Sequence, residues 1–313
     1  MKKFPEKLTP PISVKRSRAV RQKELIFSAS FGAIIRTLII FFELLGVWLF
    51  GSSALLMDAI ASGIDVLSTL LLILFIKIAN RPPDKEHPFG HGRYEPFIGL
   101  QLGLMLFFIG GWLFVQQTFR LSGTTGETII DNRAWIFPVI AVILLEVCYH
   151  FVMRTAKKQN SPALAADAIH YRIDSLTSLF AAIALLFAAF IPAWSYLIDN
   201  IGAIFISFLM IILGIWAASK NFNQLMDRTP DAAFFTLVKN AAGKVEGVLG
   251  TEKIRIQLYG PDAHVDIDIE VDPELSVDVA HKISQKVRLE IQKEWPAVRD
   301  VTVHIEPYFP GDH

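Results

Sequence analysis

Six apolar stretches dominate the chain between residues 26 and 218, and each is long enough to cross a bilayer. A membrane-spanning helix needs about 20 apolar residues. The stretches cover residues 26–50, 54–79, 96–120, 134–156, 163–191 and 194–218. Across 313 residues, 52% are hydrophobic and 19% are charged, a composition too apolar for an ordinary soluble protein. The sequence therefore predicts a multi-pass α-helical membrane domain with six transmembrane helices.

Basic residues between the stretches predict the orientation of this domain. Loops two–three and four–five and the segment after stretch six are rich in Lys and Arg, whereas loops one–two and five–six have none. The basic residues are Lys77, Arg81, Lys85, Arg93, Arg154, Lys157, Lys158, Lys220 and Arg228. Because cytoplasmic loops carry an excess of Lys and Arg, both termini are predicted to be cytoplasmic.

The two ends of the chain differ from the apolar middle. Residues 1–23 combine many basic residues with Pro5, Pro10 and Pro11, and we predict a solvated cytoplasmic tail there. From residue 227 to 313 the composition is that of a soluble domain, with a predicted helix (232–246), strands (253–259 and 264–271), helix (276–294) and strand (300–306). Alternating apolar residues support the strands. We predict a small αββαβ domain of the α+β class, and a membrane domain over residues 24–226.

A polar motif occurs twice inside the apolar stretches. Stretch five contains Asp167, His170 and Asp174, and stretch two contains Asp58 and Asp65 in matching surroundings. Residues three, four and seven apart share one face of a helix. The two stretches run in opposite directions in the predicted topology, which suggests an inverted repeat. Ionisable groups at membrane depth are costly and usually mark an ion or proton path, so we predict one intramembrane ion site.

The donor types favour a divalent metal at this site. Asp65, His170 and Asp174 offer two oxygens and one nitrogen, a set that suits zinc, iron, cobalt or manganese better than copper(I). The alternative is a proton relay or a buried polar network without metal. Ala61 stands at the place that corresponds to His170. Asp58 cannot replace the missing ligand, because it precedes Asp65 by seven residues. Seven residues of helix rise by about 10 Å, whereas zinc–oxygen bonds are about 2 Å long.

A water or a residue of another span must therefore complete the ligand shell. The candidates are Glu43 in stretch one and Glu146 or His150 in stretch four. Arg36 lies seven residues before Glu43 on one helical face, so these two can instead form an internal charge pair. The single cysteine, Cys148, lies in an apolar run and is predicted to be a small core residue.

The loop after stretch two carries a second group of possible ligands. Its sequence, Asp84-Lys-Glu-His87-Pro-Phe-Gly-His91-Gly-Arg93-Tyr-Glu95, brings an acid and two histidines within eight positions. Asp84, His87 and His91 could close on one metal through a turn. A solvated loop is the alternative, because Pro88 and Gly90 disfavour a regular helix here.

Together these features resemble the cation diffusion facilitator family, in particular its zinc and iron efflux branch. The resemblance covers residues from about 25 to the end, and its most specific parts are the His170-xxx-Asp174 helix and the His87–Glu95 loop. It implies a homodimeric metal/proton antiporter of a bacterial inner or plasma membrane, not an enzyme, with a metallochaperone-like C-terminal domain. Zinc is the expected substrate, with iron, cobalt, cadmium or manganese as alternatives. Protons are the expected counter-ion, and no nucleic-acid partner is expected.

The resemblance also implies roles for individual residues. Asp65, His170 and Asp174 would form the transport site, with Asp84, His87 and His91 as a loop site. Metal-binding positions of the C-terminal domain correspond to Glu252, Asp268, His281, His304 and Glu306. Arg93 and Asp227 correspond to an ion-pair interlock at the dimer interface. Ala61 departs from the family pattern, in which Asp or His is usual, so a non-transporting metal sensor or dimer partner is the alternative function.

Overall fold

Six long helices precede a small sheet domain in this protein. The computed structural model describes residues 12–50, 53–121, 136–190 and 192–310. The long helices are α1 (Ile12–Phe50), α2 (Ser53–Ala79), α3 (Tyr94–Leu121), α4 (Ile136–Lys158), α5 (Pro162–Phe190) and α6 (Pro192–Leu225). Each helix contains most of one apolar stretch, and together they confirm the predicted multi-pass helical fold.

Length and hydropathy support the membrane assignment. Among the described residues, three helical segments are long and apolar enough to cross a bilayer: Arg16–Leu45, Tyr94–Phe119 and Ile136–Lys158. Large apolar side chains such as Phe108 and Trp112 point outward and are more than half exposed. An extended apolar surface of this kind marks contact with lipid in a membrane protein.

The described residues form two compact units. The helical unit comprises residues 24–79 and 94–222, and the sheet unit comprises residues 12–23, 80–93 and 223–310. In the helical unit, α5 packs against α2, α3 and α4. The core between them includes Leu72, Ile76, Leu145, Cys148 and Leu164, so Cys148 is the buried core residue that the sequence predicts.

Small residues let α3 and α6 approach closely. A Cβ atom at Gly103 would lie 2.5 Å from the backbone nitrogen of Ala218, and one at Gly214 would lie 2.6 Å from that of Phe107. Any side chain at either glycine would therefore push the two backbones apart. Such contacts replace the hydrophobic effect as a packing force inside lipid.

The structure corrects the prediction for the basic N-terminal segment. Helix α1 begins at Ile12, directly after Pro11, and residues 12–23 belong to the sheet unit. The Arg18 Nη2 atom lies 2.6 Å from Asp262 Oδ1, and the Asp262 side chain is only 2% exposed. Residues 12–23 are therefore helical and Arg18 is paired, because proline is compatible with the start of a helix and a buried carboxylate binds that guanidinium. Ile12, Arg16 and Lys23 are exposed, as in a solvated segment. Residues 1–11 lie outside the described part.

The C-terminal domain has the predicted αββαβ order. Its elements are α7 (Ala232–Gly243), β1 (Gly250–Tyr259), β2 (Asp262–Val271), α8 (Val277–Glu294) and β3 (Val298–Pro307). Strand β2 is central, antiparallel to β1 and parallel to β3. The strands begin two or three residues earlier than predicted, where alternation of apolar residues gives no signal.

Helices α7 and α8 supply the second layer of this domain. Val265, Ile267 and Ile269 of β2 are fully buried, together with Val287 and Ile291 of α8. The predicted apolar strand face is therefore the face that packs on the helices. The alternate residues of β2 and β3 form the polar face, which carries Asp268, His304 and Glu306. The predicted boundaries of the three segments, 1–23, 24–226 and 227–313, stay a prediction.

Candidate metal centre

Helices α2 and α5 bring Asp65, His170 and Asp174 together. One possible ligand atom from each lies within 4.8 Å of the others. The His170 Nε2 atom is 3.0 Å from Asp65 Oδ1 and 3.7 Å from Asp174 Oδ1. The side chains of His170 and Asp174 share a face of α5 because they are four residues apart. All three are largely shielded, with exposed fractions of 12% to 28%, so they form a polar pocket within the helical unit.

Arg36 of α1 enters the same pocket. Its Nη2 atom donates to Asp174 Oδ2 at 2.6 Å, and its Nη1 atom lies 3.4 Å from Asp65 Oδ2. The Arg36 side chain is 3% exposed, and its guanidinium carbon lies 4.2 Å from the centre of the Tyr171 ring. Arg36 thus forms ion pairs with two of the pocket carboxylates.

A glycine on α1 gives Arg36 its access to α5. A Cβ atom at Gly32 would lie 2.2 Å from the Tyr171 hydroxyl, so only glycine leaves room for the buried Tyr171 ring beside α1. Arg36 follows Gly32 by one helical turn on the same face. The Arg36 guanidinium therefore contacts the carboxylates one helical turn after the place where Gly32 packs on Tyr171.

Asp167 belongs to the sequence motif but not to the group of three ligand atoms. It is 3% exposed, and its Oδ1 atom accepts a hydrogen bond of 3.1 Å from Thr69 Oγ1. In the described part of the chain, Asp167 Oδ2 has no hydrogen-bond partner. Asp167 therefore links α5 to α2 one turn before His170.

The expected donors from α4 lie outside the pocket group. Glu146 bonds to Arg172, accepts from Ser175 Oγ at 3.3 Å and lies 3.1 Å from His150 Nε2. This network binds α4 to α5. Glu43 is buried on α1 and is not one of the three grouped ligands either. The side chains of Asp58 and Ala61 lie outside what the structure describes.

The loop candidates also come together. Asp84, His87 and His91 each offer a ligand atom within 4.8 Å of the others. The carboxylate of Asp84 lies 3.5 Å from His87 Nδ1 and 3.4 Å from His91 Nε2. The backbone N–H of His87 donates to Asp84 Oδ1 at 2.7 Å. That bond, followed by the Glu86 N–H and the two histidines, lowers the pKa of Asp84 and favours the ionised, ligating form.

A turn gives the loop this shape. Gly90 adopts a φ of 89°, and its backbone N–H donates to the His87 carbonyl at 2.9 Å. Left-handed backbone of this kind favours glycine. The turn brings the His87 and His91 rings together in a tilted arrangement, with 4.5 Å between their centres and 41° between their planes. Both histidines therefore lie beside the Asp84 carboxylate.

Arg93 and Asp227 form an ion pair within one chain, and their role at a dimer interface stays a prediction. Arg93 Nη2 donates to both carboxylate oxygens of Asp227, at 3.0 and 3.1 Å. Both side chains are exposed, with fractions of 55% and 40%. The pair joins the loop after α2 to the segment after α6 inside the sheet unit.

Three of the five C-terminal candidates meet on the polar face of the sheet. Asp268, His304 and Glu306 offer ligand atoms within 4.8 Å of one another. His304 Nδ1 lies 3.1 Å from Glu306 Oε1 and 3.8 Å from Asp268 Oδ1. Glu252 of β1 is not part of this group. His281 lies on α8, on the helical side of the sheet, where its Nε2 atom is 2.8 Å from Gln285 Nε2.

Comparison with known proteins decides what kind of protein this is. The model of the cation efflux transmembrane domain matches residues 30–226, and that of the cation efflux protein cytoplasmic domain matches residues 230–308. The chain belongs to the cation efflux family. This is the cation diffusion facilitator family that the sequence resembles, whose members export divalent metal cations across membranes and are transporters, not enzymes.

Several relatives of the cation efflux family align over most of the chain. The manganese efflux system protein MneP of Bacillus subtilis (strain 168) is 28% identical, over 86% of this chain and 90% of the relative. The magnetosome protein MamB of Magnetospira sp. (strain QH-2) is 30% identical, over 84% of this chain and 88% of the relative. A MamM CTD structure in a cadmium form is 28% identical, covers 25% of this chain and 98% of that chain, and has a TM-score of 0.25.

Proposed function

We propose that this chain exports a divalent metal ion from the cytoplasm and that the ion binds Asp65, His170 and Asp174. The observation that carries the proposal is the convergence of three ligand atoms, contributed by two apolar helices, within 4.8 Å of one another. A histidine between two carboxylates inside a helical membrane domain is expensive unless an ion or a proton uses it. The family, whose members export divalent metal cations, supports the same function.

The proposed substrate is a hard or borderline ion, with manganese(II) or iron(II) ahead of zinc. Two carboxylates and one imidazole form an oxygen-rich donor set. Manganese binds such a set better than it binds sites rich in histidine or cysteine. Ala61 adds no further donor atom. Two relatives, MneP and MneS of Bacillus subtilis, are named as manganese efflux proteins. Zinc, which the resemblance suggests, becomes the comparison ion.

Proton antiport is the proposed driving reaction. His170 Nε2 faces both Asp65 and Asp174, so the imidazole can hold a proton between the carboxylates when no metal is bound. A metal ion bound at His170 Nε2 requires that this nitrogen carry no proton. Binding of the ion and of the proton at His170 is therefore mutually exclusive, which couples their movements in opposite directions.

Transport in everted membrane vesicles tests this function. With a proton gradient imposed, uptake of manganese is expected for the wild type, and Asp174→Asn or Asp65→Asn should lower it by about ten-fold or more, because a carboxylate ligand is lost. Glu146→Gln is the matched control, since Glu146 bonds to Arg172 and His150 and not to the pocket. Wild-type uptake rates in Asp174→Asn would contradict the proposed site.

A non-transporting metal sensor or dimer partner is the second candidate function. The specific observation in its favour is Arg36, whose guanidinium bonds to the proposed metal ligands. A permanently bound arginine would leave no room for an ion. In this case the vesicles would show no metal uptake for the wild type, while metal would still bind the loop and C-terminal groups.

The loop group and the C-terminal group are proposed as additional cytoplasmic metal sites. Asp84, His87 and His91 form one site, and Asp268, His304 and Glu306 form the other. Each combines carboxylate and imidazole donors, which suits divalent transition metals. We propose that the second site strengthens a homodimer, in keeping with the cation efflux cytoplasmic domain matched by residues 230–308.

A further inference from the structure

The Arg36 guanidinium contacts the two carboxylates that a bound cation would need. Its two terminal nitrogens contact Asp174 Oδ2 at 2.6 Å and Asp65 Oδ2 at 3.4 Å. These are the carboxylates that supply two of the three ligand groups. In the described part of the chain, the buried Nε atom of Arg36 has no hydrogen-bond partner. Both terminal nitrogens of this guanidinium thus contact proposed metal ligands.

Charge explains why an arginine is found here. Two carboxylates in a shielded helical pocket need compensating positive charge, because an unpaired buried charge is strongly unfavourable. Arg36 supplies one such charge, and the Tyr171 ring at 4.2 Å offers it a favourable cation–π contact. An arginine keeps its charge throughout the physiological pH range. The compensation therefore persists whether or not His170 carries a proton.

A bound divalent ion changes this balance. Its two positive charges would neutralise Asp65 and Asp174 and would repel the guanidinium beside them. Arg36 contacts the Oδ2 atoms of Asp65 and Asp174, whereas His170 faces their Oδ1 atoms. Metal and guanidinium therefore compete for the negative charge of the same two carboxylates.

We propose that Arg36 is a tethered counter-ion of the transport pocket: it binds Asp65 and Asp174 when the pocket is empty and must leave them for a metal ion to bind. This inference rests on the proposed function of the pocket. It makes Arg36 a residue that sets affinity, since part of the metal-binding free energy is used to displace it. Release of the ion is correspondingly assisted, because the guanidinium returns to the carboxylates as the metal departs.

Metal affinity of the purified full-length protein tests the competition. Manganese binding is measured by calorimetry for the wild type, Arg36→Gln, Arg36→Lys and the matched control Arg172→Gln. Arg36→Gln removes the competing charge but keeps a hydrogen-bonding group, and should tighten manganese binding by about ten-fold or more. Arg36→Lys keeps the charge, and Arg172 bonds to Glu146, so both should stay within about three-fold of the wild type. Equal or weaker binding by a folded Arg36→Gln would overturn the inference.

A second measurement uses the wild type and does not depend on the variant folding. Phenylglyoxal modifies accessible arginines, and peptide mass spectrometry resolves each site. Addition of manganese should raise the modification of Arg36 several-fold, because the guanidinium leaves its ion pairs, while modification of Arg172 should not change. An unchanged Arg36 reactivity at saturating manganese would show that metal and guanidinium do not compete.

Asp174→Asn separates failure of this inference from failure of the proposed function. If Asp174→Asn binds manganese as tightly as the wild type does, the pocket is not the metal site and both ideas fall. If Asp174→Asn binds weakly while Arg36→Gln matches the wild type, the pocket binds metal but Arg36 is a fixed structural charge. Only tighter binding by Arg36→Gln together with weaker binding by Asp174→Asn supports the tethered counter-ion.

Discussion

Ala61 is the residue at which the proposed pocket lacks a ligand. It precedes Asp65 by four residues on α2, so the two positions share a helical face. As a metal site, the proposed pocket would rely on three protein donors and keep an open coordination position, as other three-ligand metal sites do. An open, oxygen-rich site should discriminate poorly between zinc and larger ions.

Ala61→Asp should therefore tighten zinc binding and shift the preference away from manganese. The added carboxylate would stand one turn from Asp65 and provide the fourth ligand of a tetrahedral zinc site. We expect zinc affinity to rise by about ten-fold, measured by calorimetry for zinc and manganese in the wild type and the variant. Ala61→Ser is the control, because it adds a small polar side chain without a carboxylate. An unchanged ratio of zinc affinity to manganese affinity in Ala61→Asp would count against the pocket as the metal site.

At the scale of single elements, the start of α5 positions the pocket. Ser161 accepts a hydrogen bond from the Leu164 N–H at 3.2 Å through its side chain, which caps the helix. The same hydroxyl donates to the carboxylate of Glu95, which is fully buried at the start of α3. One serine therefore fixes the beginning of the helix that carries His170 and Asp174.

Ser161→Ala should destabilise the helical unit by about 1–3 kcal/mol, because it removes an N-cap and one partner of a buried carboxylate. Thermal unfolding of the detergent-solubilised protein, followed by circular dichroism, measures the change. Thr155→Ala is a suitable control, since Thr155 lies on the neighbouring α4 and its exposed hydroxyl donates to the Phe151 carbonyl of the same helix. Equal melting temperatures for the two variants would contradict the capping role.

The loop after α2 makes a separate prediction. If Asp84, His87 and His91 bind one ion, His87→Ala should lower the number of bound metal ions by about one per chain while the pocket keeps its ion. Equilibrium dialysis followed by elemental analysis gives this number. His150→Ala serves as the control, since His150 is an exposed histidine beside Glu146. A full metal complement in His87→Ala would identify the loop as a solvated turn.

At the scale of the whole molecule, the polar face of the sheet is the proposed place of metal-dependent dimerisation. His304→Ala should weaken the dimer that forms in the presence of manganese or zinc, because it removes the imidazole from the group with Asp268 and Glu306. Mass photometry of the full chain in detergent, with and without metal, measures the dimer fraction. His264→Ala changes a histidine of the same face that is paired with Asp266 and should have no effect. An equal dimer fraction with and without metal would show that this polar face does not bind metal to form the dimer.

The predicted topology can be tested in membranes with one cysteine at a time. In a Cys148→Ala background, a cysteine at Ser195 should react with a membrane-impermeant maleimide only from the side opposite the cytoplasm, because both termini are predicted to be cytoplasmic. A cysteine at Lys244, an exposed residue of the C-terminal domain, should react only from the cytoplasmic side. Reaction of both cysteines from one side would overturn the orientation.

The sequence by itself determined the elements of this protein. Apolar stretches of bilayer length predicted six helices, since a backbone in lipid must satisfy its hydrogen bonds internally. Alternation of apolar residues predicted three strands and the face that packs on α7 and α8. The four-residue spacing of His170 and Asp174 predicted that these two side chains share one helical face. Periodicity and spacing are local properties, and these predictions needed nothing else.

Only the tertiary structure decided which distant side chains meet. Arg36 and Asp174 are 138 residues apart, and the sequence offered Glu43 as a nearer partner. The Gly32–Tyr171 contact places α1 against α5 and so selects the carboxylates of the pocket. The same holds for Arg18 with Asp262 and for the separation of His281 from the polar sheet face. A charged side chain shows in the sequence that it needs a partner, but the packing of helices and strands determines which partner lies within reach.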